Sequence, residues 1–466
     1  MNGVEKYEAL LTEQTRNLGS DHPDTLTTKS NLADEYRDAG NLEKALEAYE
    51  AVLTDRIRVL GPDHPDTLTT RNKIAYTYSI GGNPLKAIDM YEAVLTDRIR
   101  VLGPDHPDTL SSRSDLAEAY SDAGKFQESI DMYETVLPDL TRVLGPDHPR
   151  TLAARGNLAY AYNTWGSPQE AIGMFETLLA DTVRSLGPDH RHTLATRGNL
   201  ATAYMDAGKL EEAIDTLETL LSDMARTCGP DHPNTFATRG NLATAYDQAE
   251  KLEEAIGIYE ALLADQNRVL GAKHPDTFTT RGKLANAYAE AEDPQKAIEI
   301  NEALLNDEMS ILGTNHPDTL ATQSNLAIAH YIAEDLPEAI EMSEALLTDQ
   351  TRVLGTDHPD TLATRGNLAA AYAKAGNLHK AIVMNEALLA DQTRILGPDH
   401  GYTLSTRNNL AYSYMEAGDS RKAVKMYTDL LADHTRILGL DHPKTRAISA
   451  ELTYLKNEKW RRENRK

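Results

Sequence analysis

Apolar and small residues recur along this chain at helical spacing, with polar residues filling the gaps. Between residues 190 and 231 they fall at Leu200, Ala201, Tyr204 and Ala207, then at Ala213, Ile214, Leu217, Leu220 and Leu221. Spacing of three and four residues marks one face of an amphipathic helix, so this stretch predicts two helices, A and B. Gly208 separates them, because a left-handed helix end is cheapest for glycine. Elsewhere helix B opens on Asn83-Pro84, Ser167-Pro168 and Asp293-Pro294, each an N-cap followed by proline at the first helical position. Leu-Gly, or once Cys-Gly, stops helix B, as at Gly229. Helix A opens on His-Pro, with an acid such as Asp66 or Asp108 at the positive end of the helix dipole.

The whole unit returns every 42 residues. Leu-Gly-Pro-Asp-His-Pro-Asp-Thr is first complete at Leu60–Thr67, and its histidine recurs from His22 to His442 without insertion or deletion. A fixed period of this length predicts a stacked array, in which each hairpin buries its apolar face only against its neighbours. The expected fold is all-α: an α-α superhelix, or solenoid, of about ten helix-turn-helix repeats with half-repeats at both ends. Residues 1–19 supply a lone helix B, residues 20–439 ten repeats, and residues 440–466 a final helix with a basic end. One solenoid over residues 1–466 is expected, not a set of separate domains. The Ala201 and Leu221 columns are invariant over ten repeats, and the Thr193 column over eleven. Small residues let helices approach, and leucine is expected to fill the gap between pairs.

Composition narrows the function. A formal net charge of −25 opposes binding to nucleic acid and to anionic membrane surfaces. No apolar run approaches the roughly 20 residues that span a bilayer, and the N-terminus has no signal-peptide pattern, so a cytoplasmic protein is expected. Cys228, the single cysteine, replaces a column leucine and is expected to be a small buried residue.

The histidine column invites a metal, but helices pack about 8–10 Å apart. Equivalent histidines are therefore too far apart to share one zinc, and they read as turn residues. No metal, cofactor or nucleophile pattern appears, so no cofactor and no enzymatic activity are expected. Asp55, Asp97, Asp223 and Asp265 lie three residues before arginines on helix B, at ion-pair spacing. A second cation column, including Arg71, Arg155, Arg197 and Arg407, lies on helix A. It either neutralises the scaffold or receives an acidic ligand.

Leu200-Ala201, Tyr204, Gly208, Ala213, the aromatic column Tyr49, Tyr91, Tyr133 and Tyr259, and the Leu-Gly-x-Asp-His-Pro linker resemble tetratricopeptide repeats. The resemblance is to the 42-residue variety of kinesin light chains, in wording similar to actinobacterial examples. It covers nearly the whole chain. It implies a concave surface, lined by helix A, that binds an extended or helical peptide or protein. The family's asparagine before Leu-Ala corresponds to Asn31, Asn157, Asn199, Asn241, Asn325, Asn367 and Asn409, and is replaced by Lys73, Asp115 and Lys283. An amide there can hold a peptide main chain, or bond neighbouring helices. Three residues beyond, the column varies most; Tyr76 and Tyr160 are its candidate aromatic contacts.

Several positions break the pattern. Glu250, Glu292 and Glu334 replace the turn glycine, Asn301, Ser343 and Asn385 replace the helix B tyrosine, and His330 replaces the helix A tyrosine. Residues 250–390 are therefore expected to be looser, or to contact something. Pro138 is expected to kink its helix. Trp165, beside a turn, is expected to be partly exposed. The final helix carries Lys456, Lys459, Trp460, Arg461, Arg462, Arg465 and Lys466, a polar cap or tail. The function expected is a non-catalytic scaffold or sensor that binds protein or peptide in the concave groove. The alternatives are a homo-oligomer stacking through its uncapped terminal helices, or the sensor piece of a larger signalling NTPase.

Overall fold

The computed structural model describes residues 3–463, with side chains through residue 457. The side chains of Lys459, Trp460, Arg461 and Arg462, and all of Arg465 and Lys466, lie outside the described residues. Two compact units divide between Ala245 and Tyr246. The first carries α1 (Gly3–Leu18), α2 (Pro23–Asp38), α3 (Leu42–Leu60), α4 (Pro65–Ile80), α5 (Pro84–Leu102), α6 (Pro107–Asp122), α7 (Phe126–Leu144), α8 (Pro149–Thr164), α9 (Pro168–Leu186), α10 (Arg191–Asp206), α11 (Leu210–Thr227) and most of α12 (Pro233–Gln248). The second carries α13 (Leu252–Val269), α14 (Pro275–Glu290), α15 (Pro294–Ile311), α16 (Pro317–Ile332), α17 (Leu336–Val353), α18 (Pro359–Lys374), α19 (Leu378–Ile395), α20 (Gly401–Glu416), α21 (Ser420–Leu438) and α22 (Pro443–Glu463). Even-numbered helices are A and odd-numbered are B. Among the described residues there is no strand. Within each unit consecutive helices pack pairwise, as in an α-solenoid.

The histidine column starts every helix A. Its Nδ1 accepts a hydrogen bond from the backbone N–H two residues on, at 3.1–3.2 Å. Where proline follows, it has no N–H to satisfy, so the imidazole serves the next orphan donor. The threonine three residues after the histidine is buried throughout. In six repeats, Thr193 among them, its hydroxyl donates to the carbonyl of the linker glycine six residues earlier, at 2.8–3.0 Å. Cap and threonine together fix the linker against its own helix A.

Gly208 ends α10 at φ +71°, in the left-handed region. Glu250, Glu292 and Glu334 take the same conformation, at φ 58°, 60° and 64°. A side chain there costs on the order of 1–2 kcal/mol, so the neighbouring packing holds these turns against local preference.

The alanine column is 0% exposed in every full repeat except one, where Ala327 is 5% exposed. Tyr49, Tyr91, Tyr133, Tyr259 and Tyr427 are buried between helices. The residue that seals each pair is not the invariant leucine. The preceding column, Val52 through Leu220 to Leu430, is at most 3% exposed, whereas Leu221 and its equivalents are half-buried. Cys228 is exposed, contrary to expectation. It caps the end of α11 at the rim of the stack, where even Leu60 and Leu102 are only half-buried and a shorter side chain gains no cover. α7 runs unbroken through Pro138, which sits on its exposed face where the freed carbonyl can be hydrated. Trp165 is 50% exposed.

Candidate functional site

Successive A helices touch: α4, α6, α8 and α10 in the first unit, α14, α16, α18 and α20 in the second. No pair of successive B helices within a unit comes as close among the described residues. Each unit therefore curves with its A helices on the inner wall. Side chains stitch that wall in the first unit: Lys73 Nζ lies 2.6 Å from Asp34, Asn72 donates to Asp115 at 2.8 Å, and Ser79 donates to Asp122 at 2.7 Å.

The arginine column of helix A does not face this wall as a free ladder. Arg197 pairs with Asp223 of helix B at 2.6 Å, Asp223 also takes Arg226 at 3.0 Å, and Arg226 reaches the linker Asp189 at 2.6 Å. The same chain of four charges joins Asp63, Arg100, Asp97 and Arg71, and again Asp105, Arg142, Asp139 and Arg113. Hydrogen bonds from Arg197 and Arg226 hold the Asp223 carboxyl below its usual range. These guanidinium groups bind linker to hairpin and are not held in reserve for a ligand.

A second inter-repeat tie joins the helix A tyrosine to the glutamate of the preceding helix B. Tyr120, Tyr162 and Tyr204 donate to Glu92, Glu134 and Glu176 at 2.8 Å, and Tyr372 also donates to Glu344. Burial and the acceptor carboxylate push the Tyr204 phenol up to about 12. His330, in that column, bonds Asp335 at 3.2 Å instead.

The candidate amides all lie on helix A, but they differ in engagement. Asn157 donates to the Tyr133 hydroxyl at 3.1 Å, so its NH2 serves the scaffold. Asn199, Asn241, Asn325, Asn367 and Asn409 make no side-chain hydrogen bond with any described residue, and all but the half-buried Asn325 are exposed. Tyr76 and Tyr160 are 41% and 52% exposed. The Arg37 guanidinium sits 5.5 Å from the centre of the Tyr76 ring. Around Tyr76 the wall is charged. Burial pushes the Asp115 carboxyl up, and burial together with the charge of Asp115 does the same to Glu118. In the second unit the corresponding column runs Asn286, Ile328, Ala370 and Tyr412, and it is apolar at Ile328 and Ala370.

That apolar part opens into a cavity of about 220 Å³ between α16, α17 and α18. Ala327, Ile328, Ser343, Leu346, Thr364 and Asn367 line it. The sequence singled out Ser343 as a departure, but not the space it leaves. The signal was the smallest residue in a column that is mostly aromatic. Among the described residues no group of three metal-ligating side chains occurs, and no helix is long and apolar enough to cross a membrane.

Paired helices in 42-residue register, stacked with their A helices inward, define a class of helical repeat protein. The tetratricopeptide repeat family profile matches nine segments, most of them overlapping, from residues 2–56 to 367–436, and the chain belongs to that family. Proteins built of these repeats generally mediate protein–protein interaction. The chain is similar to a putative kinesin light chain of Podospora anserina with nearly identical TPR-like repeats. The two are 32% identical over 44% of this chain and 97% of that one, with a TM-score of 0.41. It is also similar to BtubC (BKLC) from P. vanneervenii, at 20% identity over 50% of this chain and 94% of that one, TM-score 0.43. A signal transduction ATPase with a tetratricopeptide repeat sensor, from Pyrococcus horikoshii, is 14% identical over 82% of this chain and 54% of that one, TM-score 0.50. No curated protein matches the sequence.

Proposed function

We propose that the chain is a non-catalytic scaffold or sensor array that recognises a protein or peptide on the inner helix A wall. One observation carries this: Asn199 and Asn241 on the helix A wall of the first unit, and Asn367 and Asn409 on that of the second, are exposed with their hydrogen-bonding groups unused. A primary amide offers a donor and an acceptor together, which matches a peptide unit. None of the scaffold ties described above involves these four amides, so they can be lost without loosening the stack.

The test is to select peptides from a random displayed library on the full chain, then measure them against Asn199→Ala combined with Asn241→Ala. We expect each lost amide to weaken binding about fivefold, with helicity by circular dichroism unchanged. Selected peptides that bind the double variant as tightly as the parent would move recognition off the amides of the first unit.

A further inference from the structure

The cavity beside Ser343 has the position of a side chain that the other repeats supply themselves. In the first unit Tyr133 occupies the equivalent place on α7, 1% exposed, among Leu110, Leu158 and Ala161 of the flanking A helices. Its hydroxyl accepts the Asn157 amide of the next helix A at 3.1 Å. In the second unit Tyr427 is buried in the same way, against Ala411 and Leu452. Ser343 holds this column position on α17, and Asn367 holds the position of Asn157 on the following helix A.

The repeat has not closed over the gap. Ala327 is the most exposed residue of the alanine column, at 5%, and the cavity keeps about 220 Å³. Roughly 150 Å³ is enough for a benzene-sized guest. Two polar groups lining it are unused. Thr364 is 2% exposed and its hydroxyl has no hydrogen-bond partner, and the Asn367 amide is unbonded. A buried hydroxyl without a partner calls for a missing one. The tyrosine–glutamate tie from Tyr372 to Glu344 holds α18 to α17 beside the cavity.

We infer that the cavity is a vacated tyrosine socket, and that it takes a tyrosine side chain from the bound peptide. The ring fills the space between Ala327 and Leu346, and the phenol accepts the Asn367 amide as Tyr133 accepts Asn157. This rests on the peptide-binding reading above, but the socket can be tested without any peptide.

The probes are p-cresol, the tyrosine side chain alone, and toluene, which has the ring without the hydroxyl. Ligand-observed NMR on the full chain is expected to show saturable p-cresol binding at millimolar concentration, tighter than toluene. Ser343→Tyr should abolish binding of both probes and raise the unfolding temperature; Ser343→Leu serves if the tyrosine variant fails to fold. Asn367→Ala should weaken p-cresol about fivefold and leave toluene unchanged, as loss of one hydrogen bond requires. Binding of neither probe, or unchanged binding in the filled variant, would overturn the socket. Equal affinity for the two probes, insensitive to Asn367→Ala, would overturn its assignment to tyrosine. If the socket fails while the amide variants still lose selected peptides, the broader reading stands without it.

Discussion

Emptying a socket that is filled should reproduce the cavity beside Ser343. Tyr133→Ser does this in the first unit. The ring is 1% exposed and packs against Leu110, Leu158 and Ala161. Removing a buried aromatic side chain costs about 3–5 kcal/mol when the surroundings do not collapse. Collapse is opposed here, because the cross-repeat tie from Tyr162 to Glu134 holds α8 to α7. Tyr133→Phe keeps the ring and loses the bonds to Asn157 at 3.1 Å and to the Ser114 carbonyl at 3.3 Å. Asn157 is half-buried and can be rehydrated, so the phenylalanine variant should lose only about 0.5–1.5 kcal/mol. The assay is amide hydrogen exchange over α7 and α8, with urea unfolding for the whole chain. Both variants should be made in the Ser343→Tyr background, so that only the new socket is open. p-Cresol at ten times its dissociation constant should then return about 1.4 kcal/mol to Tyr133→Ser and nothing to Tyr133→Phe. A loss below about 1 kcal/mol in Tyr133→Ser would refute the reasoning, because the ring would not be holding the space open. So would a failure of p-cresol to protect α7 and α8.

Further tests address the scaffold. Glu250→Gly, Glu292→Gly and Glu334→Gly should each stabilise by about 0.5–1 kcal/mol, since the φ angles near +60° suit glycine; unchanged urea midpoints would show the turns to be unstrained. His64→Ala should cost about 1 kcal/mol through loss of the bond to the Asp66 N–H, while His64→Asn should retain most of it; equal losses would dismiss the cap. The pH dependence has two opposed parts. The Arg58 side chain holds Asp21 down to about 2, and arginine bonds lower Asp223 as well. Their contribution is present above the unfolded value near 4 and is lost as pH falls through the folded value. Burial raises Asp115, so its charge opposes folding at neutral pH, and that penalty is relieved as pH falls through the raised value. Asp115→Asn should therefore stabilise at pH 7 and lose its advantage on acidification; a gain independent of pH would exclude the charge as the cause.

The 42-residue register, the helix pairs and the glycine turns could be read from the chain because they are local. They depend on spacing of three and four residues and on the few residues that stop a helix. Repetition supplies its own comparison, and aligning the repeats with one another is enough to mark Ser343, His330 and the three glutamates as departures. The helix A walls that carry Asn199 in the first unit and Asn367 in the second were expected only by family resemblance.

What the tertiary structure decided involves partners 24 to 43 residues apart, such as Asn157 with Tyr133 and Asn72 with Asp115. Spacing along one helix cannot show which of two columns turns inward, so the seal at Leu220 was mistaken for Leu221, and rim-exposed Cys228 for a buried residue. The arginines of helix A could not be assigned to scaffold or ligand until Asp223 and Asp189 were seen beside Arg197 and Arg226. A serine in an aromatic column becomes a socket only if neighbouring helices keep their separation. Packing between repeats sets that separation, and the sequence of a single repeat does not contain it.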